Sequence, residues 1–245
     1  MNILLNINNF SEPFAYEILK DIIKPYMRVL IVPFSYHEDY IHNAEEFDEH
    51  YSKGKEEFED IAKEFMNYGI KRRNIQILHY YRDTRKTTHR KFHFADILFF
   101  IGGYPDRLMY RIDHLKLRPL IKKFKGIIMG TSAGAMVQLD CYHQTPEEEG
   151  QENDYGEGLG LLSGFDIEVH YEPSFLQLAS MITDLKYRGR PIYALPNKGG
   201  MIVDGEKIVL LGDAFRIGPE DIDDIQATID WVVREGKVSK FERIF

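Results

Sequence analysis

Residues 126–136 read GIIMGTSAGAM, an apolar run followed by one serine among small residues. The apolar part predicts a buried strand, and the small residues after Ser132 predict the start of a helix. A strand–turn–helix of this kind strains the backbone of its central residue, so the neighbouring positions must be small. Gly130, Ala133 and Gly134 meet that requirement. The stretch therefore predicts a nucleophile elbow with Ser132 at its apex, although Gly- and Ser-rich turns also occur in α/β proteins for geometry alone.

Apolar runs alternate with amphipathic stretches along the chain, which predicts an α/β fold with a mostly parallel sheet and helices on both faces. The predicted strands are 2–7, 27–33, 74–80, 97–101, 126–129, 166–170 and 191–195. The predicted helices are 13–24, 43–68, 105–115, 133–139, 173–187 and 219–233. Gly69 is expected to cap the second helix, and Asp204-Gly205 predicts the two-residue turn of a late β-hairpin.

Length and composition suit a single domain over residues 1–245, without internal repeats or a dividing linker. The net charge of −8 argues against broad binding to nucleic acid or to an acidic membrane. Two basic runs, 71–73 and 82–91, are interpreted as solvated faces. Cys141 is the only cysteine, which excludes an intrachain disulfide and a cysteine-based metal site. Without a leader or a spanning apolar segment in the sequence, we expect a cytoplasmic protein.

A base for the serine is expected among the nine histidines, because a serine hydroxyl is a weak nucleophile until its proton is accepted. His170 ends the apolar run 165–169 and precedes the next helix, whereas the other histidines lie in polar or helical segments. The carboxyl ends of parallel strands share one edge of a sheet, so Ser132 and His170 are predicted to lie on the same edge. A strand-end histidine can also be a surface residue with a structural hydrogen bond.

The segment FFIGGYPDRL, residues 99–108, predicts a Gly-rich turn between a strand and a helix, with Pro105 in the first helical turn. Glycines in such a turn allow the backbone to approach a ligand closely. The N–H groups near Gly103 and Tyr104, together with that of Ala133, are candidates for an oxyanion hole. An ordinary βα turn is the alternative.

The order IGG, GTSAGA, GLGLL, EVHYEP and PIYALPN resembles the S51 serine peptidases between about residues 97 and 217. That family includes peptidase E, has cyanophycinase as a relative, and shares the fold of class I glutamine amidotransferases. The resemblance implies a flavodoxin-like three-layer sandwich, a nucleophile at Ser132, a base at His170 and oxyanion donors near Gly103–Tyr104 and Ala133. It implies neither a metal nor an organic cofactor. Serine in place of the amidotransferase cysteine disfavours glutaminase chemistry.

Two positions depart from the pattern of peptidase E. Asn197 in Leu195-Pro196-Asn197-Lys198-Gly199 stands where that enzyme has a glutamate that orients the histidine. An amide oxygen can fix the imidazole tautomer but adds no negative charge to stabilise the imidazolium. We therefore predict that Asn197 faces His170, with Glu168, Glu172 or Asp213 as an alternative. Tyr104 replaces the third glycine of the oxyanion turn. Peptidase E holds an aspartyl carboxylate with an arginine downstream of its histidine. No arginine occurs at the corresponding distance in this chain, over 180–184, so we do not expect aspartyl specificity.

The leading hypothesis is a serine hydrolase of the peptidase class that cleaves a small peptide through an acyl-enzyme on Ser132. The alternative is a catalytically silent binding protein that keeps the elbow pocket, which Asn197 favours. The expected partner is a small peptide substrate, not nucleic acid or a membrane, and a homodimer is left open. The acidic segment 144–158 has two interpretations, a solvated loop or a mobile flap beside the serine.

Overall fold

The computed structural model describes residues 1–146 and 152–234. Its strands are β1 (Asn2–Leu5), β2 (Val29–Val32), β3 (Ile75–Ile77), β4 (Ile97–Phe100), β5 (Ile127–Thr131), β6 (Cys141–Gln144), β7 (Asp154–Glu157), β8 (Asp166–Val169), β9 (Ile192–Leu195), β10 (Gly199–Asp204), β11 (Lys207–Gly212) and β12 (Phe215–Ile217). Its α-helices are α1 (Pro13–Leu19), α2 (Ala44–Tyr51), α3 (Glu56–Asn67), α4 (Arg85–Phe94), α5 (Pro105–His114), α6 (Arg118–Lys122), α7 (Ala133–Met136), α8 (Phe175–Arg188) and α9 (Ile222–Arg234).

A central sheet has the strand order β11-β10-β1-β5-β4-β2-β3. The five strands from β1 to β3 in that order are parallel, and the hairpin β10–β11 adds an antiparallel edge. Leu5 at the end of β1 pairs with Thr131 at the end of β5. The residues that follow these two strands, Asn6 and Ser132, are therefore neighbours at the carboxyl edge of the sheet.

Alternating residues of the parallel strands face two separate cores, as the period of a strand requires. On one face, Ile3, Ile31 and Phe99 pack with apolar residues of α1, α2 and α3. On the other, residues such as Leu98 and Phe100 pack against α5, α6 and α7. The result is the three-layer α/β sandwich that the alternation of the sequence predicts.

A second sheet corrects the prediction that His170 and Ser132 lie on the edge of one sheet. Strands β8 and β9 are parallel to each other and, with β12, form a separate three-stranded sheet. This sheet has its own core, in which Ile192 and Ala194 pack with residues of α8 and α9 such as Met181 and Ile225. Apolar strands alone do not show which sheet they join, and that explains the error.

Two local predictions also need correction, while the basic run 82–91 lies largely in α4 and is mostly solvent-exposed, as expected. The predicted helix 43–68 is two helices, α2 and α3, separated by a turn in which Gly54 has φ of +97°. The hairpin turn is shifted by one residue: Asp204 pairs with Lys207, and the loop is 205–206.

The acidic segment contains the strand β7, which pairs with β6 and ends at Glu157. Its residues 147–151 lie outside the described part of the chain, so the flap alternative stays a prediction. Gly69 follows α3 with φ of +83°, which confirms the predicted cap. Within residues 1–146 and 152–234, no helix combines the length and apolar character needed to cross a membrane.

Candidate active site

Ser132 occupies the turn between β5 and α7 with φ of 50° and ψ of −118°. Few residues other than glycine adopt this region, and such strain collects at functional sites. The small neighbours are required by contact: a Cβ on Gly130 would lie 2.1 Å from the carbonyl oxygen of Gly134. A Cβ on Gly134 would lie 2.2 Å from that of Phe100. The elbow predicted from the sequence is therefore present, and close backbone packing holds it.

The hydroxyl of Ser132 lies 2.8 Å from Nε2 of His170, which is hydrogen-bond distance. His170 follows β8 and also has positive φ, 52°. Its backbone N–H donates to Oδ1 of Asn6 at 2.6 Å. Asn6 follows β1, next to Ser132 in the sheet, so one side chain fixes the backbone of the base beside the nucleophile. The contact has the geometry that a serine nucleophile and its general base would require.

The predicted direct contact between Asn197 and His170 is not found among the described residues, because the side chain of Asn197 bonds Asn6 instead. The amide nitrogen Nδ2 of Asn6 donates to Oδ1 of Asn197 at 3.2 Å, while the other end of Asn6 holds the His170 backbone. Among the described residues, no side chain forms a hydrogen bond with Nδ1 of the His170 ring. On the opposite side, Nε2 of Gln177 donates to the carbonyl oxygen of His170 at 3.0 Å and contacts Glu168 at 3.3 Å.

The environment of His170 favours the neutral, proton-accepting imidazole. Although part of its surface faces solvent, desolvation by the surrounding atoms lowers the pKa of His170 below its usual value. The negative charges of Glu168 and Glu172 oppose that shift. A histidine with a lowered pKa is unprotonated at neutral pH, as a base for Ser132 must be.

The candidate oxyanion donors differ in their availability. The backbone N–H of Tyr104 donates to the carbonyl oxygen of Ser35 at 2.8 Å, so it is already bonded. No hydrogen bond within the described residues uses the N–H of Gly103 or of Ala133. Gly103 has φ of +132°, and a Cβ there would lie 2.5 Å from the Ser35 carbonyl oxygen. Gly103 and Ala133 therefore remain the candidates.

Ser132 and His170 line a cleft of about 400 Å³. The side chains of Glu57 and Asp60 from α3 line it as well, and none of its described lining residues is lysine or arginine. A larger cavity of about 740 Å³ lies beside Asn197, but its described lining residues include no serine, threonine, cysteine or histidine. The smaller cleft therefore contains the reactive pair, and its wall is acidic.

Several residues of the site were not predicted from the sequence. Asn6 is a polar residue directly after β1, but the sequence predicts a strand over 2–7 and so places Asn6 inside it. Ser35 lies three residues after the end of β2, and its hydroxyl donates to the carbonyl oxygen of Gly102 beside the elbow. Glu57 and Asp60 lie on a helix, and no local pattern distinguishes them from other exposed carboxylates.

The fold and this site define an α/β protein with a serine–histidine pair at a strand–turn–helix. The sequence profile of peptidase family S51 matches residues 15–211, and the chain belongs to that family. Among solved structures it is similar to a protein from Listeria monocytogenes EGD-e assigned as a peptidase E. That match has a TM-score of 0.60 and 14% identity, and it covers 85% of this chain and 96% of the other.

A peptidase from an acI-B1 Actinobacterium is also similar, with a TM-score of 0.55 and 14% identity. It covers 89% of this chain and 93% of the other. At such identities these structures show a shared fold. No curated protein sequence matches the chain significantly. Membership of family S51, together with these neighbours, supports a peptidase.

Proposed function

We propose that this protein is a serine peptidase that cleaves small peptides through an acyl-enzyme on Ser132. The observation that carries the proposal is the 2.8 Å contact between the Ser132 hydroxyl and Nε2 of His170 at a strained elbow. Nε2 takes the hydroxyl proton as the oxygen attacks the scissile carbonyl carbon, then gives that proton to the leaving amine. A water activated by the same nitrogen then hydrolyses the ester, which releases the acid and restores the serine.

The backbone N–H groups of Gly103 and Ala133 would stabilise the tetrahedral oxyanion. Asn197 takes the place of the family glutamate as a positioning residue, acting through the side chain of Asn6 on the His170 backbone. This arrangement fixes where the base lies but places no carboxylate on its ring. We therefore expect a slower enzyme than one with a carboxylate at that position.

The acidic wall of the cleft supports peptides with a positive charge near the scissile bond. Asp60 attracts a cation, and Glu57, which lies 3.1 Å from Nδ1 of His50, adds to this while that histidine is neutral, whereas an aspartyl substrate would need a basic partner. Arg188 and Arg190, the first arginines after the base, make ion pairs with buried Asp166 instead. Solvent and salt screen the charges of exposed carboxylates, so we expect the lysyl peptide to be preferred by only a few-fold.

Hydrolysis of a dipeptide panel tests this function. The first residue of each dipeptide is lysine, alanine or aspartate, and products are measured by mass spectrometry with wild-type protein and with Ser132→Ala. We expect turnover by the wild type, fastest for the lysyl peptide, and none by the variant. Equal turnover by both proteins would contradict the role of Ser132. Fastest turnover of the aspartyl peptide would contradict the proposed role of the acidic wall and leave the role of Ser132 intact.

A silent binding protein is the second candidate function. The observation that favours it is Asn197 together with the lack of a side-chain partner for Nδ1 of His170 among the described residues. In that case, peptides from the same panel would bind in calorimetry without being cleaved.

A further inference from the structure

Three buried side chains meet behind the base, outside the cleft. His143 on β6, Asp166 on β8 and Asp184 on α8 all have side chains with 0% exposure. Nδ1 of His143 lies 3.9 Å from Oδ1 of Asp166 and 3.7 Å from Oδ2 of Asp184. One ligand atom from each residue can be chosen so that all three lie within 4.8 Å of one another. None of the three has a part in the chemistry proposed for Ser132.

The three atoms that converge lack hydrogen-bond partners among the described residues. They are Nδ1 of His143, Oδ1 of Asp166 and Oδ2 of Asp184. Leaving a buried polar atom without a partner costs about 1–3 kcal/mol, and more for a charged group, so native proteins rarely do so. Three such atoms close together can be bound by one ligand, and when His143 is protonated its Nδ1 can pair with the two carboxylates instead.

The remaining atoms of two of these residues are held in the way that metal sites hold their ligands. Nε2 of His143 lies 2.7 Å from Oε2 of Glu168, which fixes the ring orientation and leaves Nδ1 as the free nitrogen. Oδ2 of Asp166 lies 2.7 Å from Nη1 of Arg188 and 3.0 Å from Nη2 of Arg190. A histidine that ligates a metal usually donates its other N–H to a carboxylate in this manner.

The charges around the cluster are unbalanced. The cluster contains two guanidinium groups, those of Arg188 and Arg190. It contains four carboxylates, those of Asp140, Asp166, Glu168 and Asp184. Counted with neutral His143, the form that binds a metal, two negative charges are in excess, and protonation of His143 reduces the excess to one. A divalent cation would neutralise them, and buried charges are normally paired or bound to a metal.

We propose that His143, Asp166 and Asp184 bind one divalent transition-metal ion of the zinc type through Nδ1, Oδ1 and Oδ2. Nitrogen and carboxylate oxygen are ligands that zinc accepts at about 2.0–2.2 Å, which places tetrahedral ligand atoms roughly 3.4 Å apart. The two separations from Nδ1 of His143, 3.7 and 3.9 Å, need to contract by only a few tenths of an ångström. The metal would join β6, β8 and α8, and Glu168 with Gln177 links this site to the backbone of His170.

A proton on Nδ1 of His143 is the competing occupant of the site. Although burial lowers the pKa of His143, the carboxylates of Asp166 and Glu168 beside the ring raise it to about 10 overall. A metal must therefore displace this proton, so we expect affinity to fall as the pH falls. Metal analysis separates the two occupants directly.

The test uses the full-length protein, stripped with a chelator and then loaded with ZnCl₂. After gel filtration, we expect one zinc per chain and a rise in Tm of about 5–10 °C at a free zinc concentration 100 times the Kd. X-ray absorption of the loaded protein should show nitrogen and oxygen neighbours that include one imidazole. No retained zinc, or a shell containing the sulfur of Cys141, would overturn the proposal.

Asp184→Asn supplies the matched variant, with Asp224→Asn on the exposed face of α9 as its control. We expect Asp184→Asn to lose the zinc and its Tm rise, because it replaces a ligating carboxylate with a neutral amide. Asp224→Asn should keep both. Retention of stoichiometric zinc by Asp184→Asn would overturn the assignment. His143→Gln repeats the measurement if Asp184→Asn does not fold.

Discussion

The nucleophile arm, residues 127–136, and the base arm, residues 166–197, are held in place by different kinds of interaction. The nucleophile arm lies in the central sheet, is short, and is built from small residues in direct backbone contact around Ser132. The base arm belongs to a second sheet and contains buried carboxylates and arginines. It meets the first arm at the contact between Ser132 and His170 and through Asn6. The reactive geometry therefore depends on a junction between two sheets.

This difference shows where the site is robust and where it can be adjusted. A substitution in the nucleophile arm meets backbone atoms, which cannot move aside. A substitution in the base arm changes hydrogen bonds and charges, which act in smaller steps. The predictions below are ordered by the size of the expected effect, from the loss of a reacting group to a shift in the pH profile.

Removing the base should have the largest effect. His170→Ala deletes the proton acceptor of Ser132, so the rate at which an activated ester acylates Ser132 should fall about 10²–10⁴-fold. Intact-mass kinetics measure the rate, and His93→Ala, on the exposed surface of α4, is the control. An unchanged rate for His170→Ala would show that another group activates the serine.

Filling the elbow should be the next most damaging change. In Gly134→Ala the new methyl group meets the Phe100 carbonyl oxygen at 2.2 Å, so the free energy of unfolding should fall by about 3 kcal/mol or more, with loss of labelling. Gly189→Ala is the matched control, because its φ is +63° and a Cβ there meets nothing within 4 Å. It should cost only about 1–2 kcal/mol, from backbone strain. Equal losses in urea denaturation would contradict the contact-based account of the elbow.

Breaking the link between the arms should have a moderate effect. Asn197→Ala removes the acceptor for Asn6, so the acylation rate should fall about 2–12-fold, the usual worth of one hydrogen bond. Asn6→Ala should cost at least as much, and the double variant should cost less than the product of the two. Fully multiplicative effects would mean that Asn197 does not act through Asn6.

Asn197→Glu sharpens the comparison, because it restores the residue type of peptidase E. If the reaction is slow because no negative charge at position 197 stabilises the imidazolium of His170, the glutamate should raise the acylation rate. A rate that stays the same or falls while Asn197→Ala is slow would assign position 197 to positioning alone.

The pH profile should give the smallest but most specific signal. Desolvation lowers the pKa of His170, so the base is neutral above that value and protonated below it. The acylation rate should therefore be constant near neutral pH and fall on the acid side, with a midpoint below 6.5. A midpoint above 6.5 would mean that the carboxylates of Glu168 and Glu172 dominate over desolvation.

The sequence could predict the nucleophile arm because its information is local. Gly130, Ser132 and Gly134 are adjacent in the chain, and the alternation of apolar runs predicts the layers around them. The base arm was predicted only in part. His170 was identified at a strand end, but its membership of a second sheet depends on pairing between β8, β9 and β12, which no local pattern encodes.

Asn6 and the buried cluster around His143 illustrate the same limit. Asn6 lies 164 residues from His170 in the chain, yet the two share a hydrogen bond. His143 belongs to the histidines for which no sequence pattern predicts a role, whereas in the structure it is fully buried on β6 between carboxylates from β8 and α8. Long-range packing alone brings these groups together, so their roles follow from the fold and not from spacing.

The most direct test of the central claim is covalent labelling of the wild-type protein with a fluorophosphonate at neutral pH, followed by peptide mapping. A serine that donates its proton to His170 at 2.8 Å should react as an activated nucleophile. The account expects one adduct per chain, located on Ser132 and lost in Ser132→Ala. A folded wild-type protein that forms no adduct, or one labelled at another residue, would contradict it.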